Sequence, residues 1–309
     1  MIHVIDVQSR ATIQDLGRFG LRRFGISQCG AMDKLALRAG NILLGNAEDA
    51  PAIEVPLGGI TLQFQQDMNF CVTGAFYEMT LDDKPVFAYW RYQARAGQVL
   101  KMIRAKIGMY GYLCVQGGFT LPQELNSCST DLRAQIGGIE GRGLQAGDQL
   151  QTANDPILRS EIGIAPIPLK HTIHALPSSE YQAFKRKSQY YWWRSKWTLQ
   201  SSSDRMGYRF QGQKLELKQP LEMLSHAIQF GSVQVPPNGQ PIILMADAQT
   251  TGGYPKIANV IDADLGALAQ VRLGSTIQFE AVSLEQAAKL RRKNEIYLDQ
   301  IRRIVDEKN

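Results

Sequence analysis

The sequence predicts a mainly β protein with a few helices, divided into two units. Short alternating or apolar runs recur along the chain, as half-buried strands require. Twenty-eight glycines punctuate these runs. A length of 309 residues exceeds what one core of ordinary size holds, so one large or two medium domains are expected. Many short strands with turn signals between them mean a barrel or a sandwich, and periodicity alone leaves that choice open.

In the first half, strands are expected at 3–7 (HVIDV), 52–55 (AIEV), 60–64 (ITLQF), 69–74 (NFCVTG), 98–104 (QVLKMIR) and 110–117 (YGYLCVQG). In the second half they are expected at 215–218 (LELK), 240–246 (QPIILMA) and 275–282 (STIQFEAV). Two helices stand out. Asp33 is a natural N-cap for a helix over 34–44 that stops at Gly45-Asn46. Its inward stripe is Leu35, Ala39, Ile42 and Leu43, while Lys34, Arg38 and Asn41 face water. The second helix covers 284–306, with a stripe of Leu290, Tyr297, Ile301 and Ile304 and an Asp299–Arg303 pair four residues apart. KRKSQYYWWRSKW (185–197) reads as an amphipathic strand, with Tyr191, Trp193 and Trp197 against Trp192, Arg194 and Lys196. The boundary is expected in QTANDPILRSEIGIAPIPLK (151–170), which carries three prolines and weak periodicity. This gives an N-terminal domain over 1–160 and a C-terminal domain over 161–309 that ends in the last helix.

Composition excludes several classes. Apolar residues make up 44% and charged residues 20%, the balance of an ordinary globular protein. A net charge of +5 without a long basic block argues against a nucleic-acid surface. No apolar run approaches the roughly 20 residues that span a bilayer, and the start MIHVIDV is a strand pattern, not a signal peptide. The four cysteines (Cys29, Cys71, Cys114, Cys128) show no paired or metal-ligand spacing, which points to the cytoplasm and to no metal on these residues. Cys71 and Cys114 lie in apolar runs and read as buried thiols; Cys29 and Cys128 lie in loop-like contexts. His171 and His174 fall in an alternating segment and read as ordinary strand residues.

The chemistry concentrates in MADAQTTGGYPK (245–256). An apolar strand opens there into a polar turn. Thr250 and Thr251 bring hydroxyls, Gly252 and Gly253 allow close backbone approach, and Pro255 stiffens the exit. Lys256 adds a compact cation, which makes an anion or carboxylate site. A Gly-Gly turn after a strand is, in most chains, just a turn. SSSDRMGYR (201–209), TIQDLGRFG (12–20) and GAMD (30–33) have a similar polar, glycine-containing character.

With GAMDKLALRAGNILLGN (30–46), AIEVPLGG (52–59), YLCVQGGF (112–119), GGIEGRGLQAGD (137–148), the run 231–261 and ADLGALAQ (263–270), these segments resemble, in order and spacing, the allophanate-hydrolase-subunit-2 family. That family includes the C subunit of the prokaryotic 5-oxoprolinase, KipA proteins and part of the carboxyltransferase region of urea carboxylase. The resemblance runs through most of the chain and implies two cyclophilin-like β-barrel domains. It implies one component of an ATP-dependent 5-oxoprolinase, inactive alone, with 5-oxoproline as substrate. Two partners would complete it, an A subunit plus a KipI-like B subunit. The alternatives it leaves open are a biotin-dependent carboxyltransferase component and a KipA-like regulator that binds a kinase inhibitor. ATP, with Mg2+, is expected to sit mainly on a partner, because GxxxxGK[ST] does not occur; biotin belongs only to the carboxyltransferase alternative.

The resemblance and side-chain chemistry together imply the site residues. Asp204, Arg205, Thr251 and Lys256 are the expected catalytic groups, Asp204 pairing with Arg205 to aim it or Arg205 binding an anion directly. Thr250, Gly252, Gly253 and Tyr254 are expected to contact substrate or nucleotide. Gln14, Asp15 and Arg18 form a second cluster, and Ser127, Thr130, Glu140 and Arg142 a third. The bland reading is that Asp–Arg pairs beside glycines pin loops. The chain departs from the family pattern at Ala248, where an arginine is common, at Cys29 and Cys128, and at Leu176-Pro177-Ser178-Ser179 in place of a Pro-Gly-Pro signature.

Overall fold

The computed structural model describes residues 1–153, 156–158 and 161–308. Asn154, Asp155, Arg159 and Ser160, all in the expected boundary stretch, lie outside the described residues, and the expected limit at 160/161 adjoins them. The chain divides into two compact units. The first comprises Met1–Arg18, Cys29–Pro168 and Asn294–Asn309, and the second Phe19–Gln28 and Leu169–Lys293.

Ten strands build the sheet of the first unit: β1 (Ile2–Val7), β2 (Thr12–Gln14), β3 (Ala52–Pro56), β4 (Ile60–Phe64), β5 (Met68–Leu81), β6 (Lys84–Pro85), β7 (Trp90–Ala94), β8 (Val99–Val115), β9 (Gln149–Leu150) and β10 (Ile162–Gly163). The path runs β10-β7-β5-β8-β4-β1-β9, with β3 joining β2 to β8 and β6 on β5. The two runs expected at 98–104 and 110–117 are one strand, β8, antiparallel to β5 with register shifts around Phe76. Its first half mixes buried and open positions, and its last eight residues are all buried. The change follows from a helix, α1 (Lys34–Leu43), that packs on β5 and β8. Asp33 caps it as expected, accepting from Ala36 N at 3.1 Å. Gly40 lets α1 approach, since a Cβ there would lie 2.7 Å from Cys114 Sγ and 2.8 Å from Thr73 Oγ1. One residue of the expected inward stripe and one of the expected water face are corrected. Leu35 is half-buried and Leu37 takes the inward place, while Asn41 is buried and donates through Nδ2 to the carbonyls of Glu48 (3.2 Å) and Ala50 (2.8 Å).

The second unit is a closed barrel. Its elements in order are β11 (Thr172–Pro177), α2 (Arg186–Arg194), β12 (Trp197–Leu199), β13 (Gly207–Gln211), β14 (His226–Ala227), β15 (Ser232–Gln234), β16 (Ile242–Leu244), β17 (Thr251–Gly252), β18 (Lys256–Val260), α3 (Asp262–Ala269) and β19 (Thr276–Ala281). The barrel order is β11-β18-β15-β16-β13-β12-β19, sealed by a parallel ladder between β11 and β19, and β14 pairs with β17 outside it. The segment expected as a strand at 185–197 is mostly helix. Ser188 and Trp192, four residues apart, are its buried face, and Trp192 stacks on Phe279 with centroids 4.2 Å apart. Helical spacing thus buries Trp192 and leaves Tyr191 and Trp193 half-buried, while Trp197, at the start of β12, is buried. LELK (215–218) is not a strand: Leu217 makes an isolated bridge to Phe184.

The last helix, α4, covers Leu284–Lys308, and its residues from Asn294 onward belong to the first unit. There it buries Leu298, Ile301 and Val305, not Ile304. Asp299 pairs with Arg302, three residues on, in place of the expected Arg303. Arg302 also binds Glu48, and Arg38 bridges Glu48 (2.5 Å) and Glu295 (2.8 Å).

Candidate functional site

The chain leaves the barrel at β16, crosses Met245–Thr250 and returns through β17 and Gly253-Tyr254-Pro255 to β18. β17 is held from outside the barrel: Gly252 lies opposite His226 and Thr251 opposite Ala227. β18 opens with Lys256, which lies opposite Gln234 on β15, so these two side chains share a face. Gln234 is buried, and its Nε2 has no hydrogen-bond partner among the described residues. A Cβ on Gly252 would come within 2.5 Å of that nitrogen and 2.9 Å of Ile228 Cδ1. The backbone at Gly252 is outside the left-handed region, so glycine is needed there for space and not for conformation.

Lys256 is buried and doubly held. Its Nζ lies 3.1 Å from Glu180 Oε2 and hydrogen-bonds His226 Nε2. His226 Nδ1 is 3.2 Å from the carbonyl of Leu224, an acceptor only. The imidazole therefore carries its proton on Nδ1 and accepts from Lys256 through Nε2. Burial pushes the Glu180 carboxyl up, but hydrogen bonds from Ser179 and Lys256 and the lysine's charge outweigh it and hold the group below its ordinary value. Of the three ammonium donors, Glu180 and His226 take two. The third, with the Nε2 of Gln234, gives N–H donors around Gly252, while the lysine's charge is balanced by Glu180. Such a set suits an anionic oxygen.

Thr251 is exposed and Thr250 half-buried. Tyr254 is exposed, and with Gly253 and Pro255 it lines a cavity of about 470 Å³ whose other walls include Leu215, Leu221 and Val235. The expected Asp204–Arg205 ion pair is corrected. Asp204 Oδ1 accepts from the backbone N–H groups of Met206 (2.9 Å) and Gly207 (3.2 Å), which closes a local turn. Arg205 instead grips Asp247 with Nε and Nη2, each at 2.8 Å. That bidentate pair braces the Met245–Thr250 loop. Arg22 supports the loop as well, donating to the carbonyls of Ile228 (2.5 Å) and Gln249 (3.2 Å). Ala248 packs into a small apolar cluster with Ile228 and Leu244, which accounts for a methyl group at that position.

In the first unit, Gln14, Asp15 and Arg18 do meet Ser127 and Thr130. Asp15 accepts from Ser127 Oγ (2.7 Å), Ser129 Oγ (2.5 Å), Cys128 N (2.6 Å) and Gly17 N (2.7 Å). Gln14 Nε2 donates to the Thr130 carbonyl at 3.2 Å. Glu140 and Arg142 do not join them through any such bond. Arg142 forms a fork with Asp148 at 2.8 and 2.9 Å and reaches the exposed Glu140 at 3.3 Å. Cys128 is buried, and burial pushes its thiol up to about 11, which disfavours the thiolate. Cys29 is likewise buried.

Sequence reasoning missed Glu180, His226, Gln234 and Asp247. Asp247 lay inside the selected segment but had no local mark. His226 and Glu180 reach Lys256 from 30 and 76 residues away, a proximity no local pattern encodes. Among the described residues, no group of three or more His, Cys, Asp or Glu is arranged for a metal ion, and no helix is long and apolar enough to cross a membrane.

Residues 24–281 match the family model described as carboxyltransferase domain, subdomain A and B. The chain is 91% identical over its full length, and that of the relative, to the 5-oxoprolinase C subunit of Haemophilus influenzae. It is 48% identical over 97% of each chain to the 5-oxoprolinase C subunit of Escherichia coli. Among solved structures, the urea amidolyase of Kluyveromyces lactis superposes with a TM-score of 0.90 at 26% identity, covering 97% of this chain and 20% of that one. A closed barrel, a mainly β first unit and similarity over the whole length thus lead to one conclusion: the chain belongs to the carboxyltransferase-domain family, in the branch of the 5-oxoprolinase C subunits.

Proposed function

We propose that this chain is the C subunit of a 5-oxoprolinase. With its A and B partners it carries out the ATP-dependent hydrolysis of 5-oxo-L-proline to L-glutamate, without turnover on its own. Full-length 91% identity to a relative of that name is the observation that carries the reading. The chemistry of the loop around Gly252 supports it. A five-membered lactam is an unreactive amide, and transfer of a phosphoryl group to its carbonyl oxygen creates a leaving group and an electrophile for water. Positioning and charge stabilisation dominate such a transfer. Lys256, with the amide donor of Gln234 and the hydroxyls of Thr250 and Thr251, supplies positive charge and donors for an anionic oxygen. Gly252 and Gly253 let the ligand reach them, and Tyr254 lines the adjoining cavity. Glu180 and His226 aim Lys256. Arg205 acts through the loop it braces, and Asp204 through the turn into β13. ATP and Mg2+ are assigned mainly to the partner chains.

The test is ADP release by the complex of this chain with its partners, assayed with and without 5-oxoproline and in the presence of avidin. Release that needs 5-oxoproline and ignores avidin supports the reading. An intact complex that releases no ADP, or one that avidin inhibits, removes it.

A further inference from the structure

Nine buried side-chain polar atoms among the described residues lack a hydrogen-bond partner, and four of them belong to Gln14, Arg18 and Thr130 of the first unit. Buried polar groups are almost always satisfied, so such a concentration signals a missing occupant. The four atoms are Gln14 Oε1, Arg18 Nε, Arg18 Nη1 and Thr130 Oγ1. Their owners are neighbours. Arg18 Nη2 donates to the Ser129 carbonyl at 2.5 Å, and Gln14 Nε2 donates to the Thr130 carbonyl at 3.2 Å. Because a carbonyl only accepts, that second bond fixes which end of the Gln14 amide is the unpartnered oxygen. Gly137 and Gly138 close over the place. A Cβ on Gly137 would lie 2.4 Å from Arg18 Nη2, and one on Gly138 2.1 Å from Thr130 Oγ1.

The Arg18 side chain has 0% exposure and carries a guanidinium charge. Asp15 does not neutralise it by contact, because its carboxylate oxygens are engaged by two serine hydroxyls and two backbone N–H groups. A buried charge without a counter-charge in contact is strongly disfavoured. We propose that Arg18, Thr130 and Gln14 form a binding site for a small oxyanion that also carries a proton, of the bicarbonate or hydrogen phosphate kind. Its charged oxygens take the Nε and Nη1 protons of Arg18 and the hydroxyl of Thr130. Its own O–H donates to Gln14 Oε1, an acceptor that no donor among the described residues reaches. Zero exposure limits the occupant to a few atoms. This site goes beyond the oxoprolinase reading and is tested without turnover.

The experiment uses the full-length chain in buffer free of carbonate and phosphate, titrated calorimetrically with bicarbonate and, separately, with inorganic phosphate. One of the two is expected to bind with one-to-one saturation and to raise the thermal midpoint. Bicarbonate alone identifies a carboxyl-type ligand, and phosphate alone a phosphoryl-type ligand. Arg18→Gln is expected to weaken binding by about tenfold or more, the loss of a charge-assisted contact. Thr130→Val, which keeps the charge and the shape, is expected to weaken it several-fold and serves if the arginine variant fails to fold. Absence of saturable binding by either probe, or binding in Thr130→Val equal to that of the unaltered chain, overturns the proposal. So does a crystal structure grown with both anions in which water alone occupies Arg18 Nε and Nη1.

Discussion

Lys256 and His226 face each other nitrogen to nitrogen, the ammonium donating and the imidazole accepting through Nε2. The arrangement requires a neutral ring. It makes Lys256 a fixed donor, not a mobile surface charge, and ties β18 to the short strand β14 that holds the Gly252 loop. Removal of the cation should therefore act on chemistry and also lower stability, because it leaves the Glu180 carboxylate without its counter-charge. In Lys256→Met, 5-oxoproline-dependent ADP release by the assembled complex is expected to fall by about 10²- to 10³-fold, the usual effect of losing one preorganised charge donor. Co-purification with the partner chains should be unchanged. Turnover within about twofold of the parent would take Lys256 out of the site.

Gly252→Ala tests the space in front of Gln234. The added methyl group meets two buried side-chain ends, the Gln234 amide and Ile228 Cδ1, so stability should fall by about 1–3 kcal/mol. It also fills the place assigned to the ligand. Steady-state kinetics of the complex should show KM for 5-oxoproline raised by roughly tenfold, with kcat affected less. A KM equal to that of the parent would mean that the ligand lies elsewhere.

Asp247 and Asp204 should separate cleanly. Asp247→Asn breaks the two-pronged contact with Arg205 and is expected to destabilise the protein by about 1–3 kcal/mol in urea unfolding. Asp204→Asn retains an acceptor for the backbone N–H groups of Met206 and Gly207 and should lose less than about 1 kcal/mol. The reverse ranking would return Arg205 to Asp204.

Acid should weaken the first unit through Glu48. Burial raises its carboxyl, but hydrogen bonds from Arg38 and Arg302 and their charges prevail, so it is held below its ordinary value of 4.5. A depressed carboxyl contributes stability above its unfolded-state value and loses it as pH falls through the folded-state value. Urea midpoints measured downward from about pH 5 should decline, and Glu48→Gln should decline less over the same window. Parallel curves for the two proteins would exclude Glu48 as a contributor.

The parts of the fold legible in the sequence are those written locally. Asp33 announced α1 because a cap and a glycine stop are neighbours in sequence, and the strand runs at 52–55, 60–64 and 275–282 stand where alternation placed them. The segment 185–197 was not legible. Its adjacent aromatics satisfy a strand's alternation as well as a helix's spacing, and only packing of Trp192 on Phe279 decides between them. The site divided in the same way. Thr250, Thr251, Gly252, Gly253 and Lys256 stand out because hydroxyl, glycine and lysine crowd one turn. Gln234 owes its place to a strand register, and Glu180 and His226 to the return of distant segments onto β18 and β17.

The parallel ladder that seals the barrel has a consequence for how the protein is made. β11 begins at Thr172, and its parallel neighbour β19 runs over Thr276–Ala281, so the two edges that must join are separated by most of the second unit. β12 waits for the same strand. Until β19 leaves the ribosome, the nascent barrel carries two open strand edges, the state in which β chains pair with the wrong neighbour. The last strand of the barrel is thus its latch, and nascent chains stalled before Thr276 are expected to engage chaperones that the released full-length chain does not.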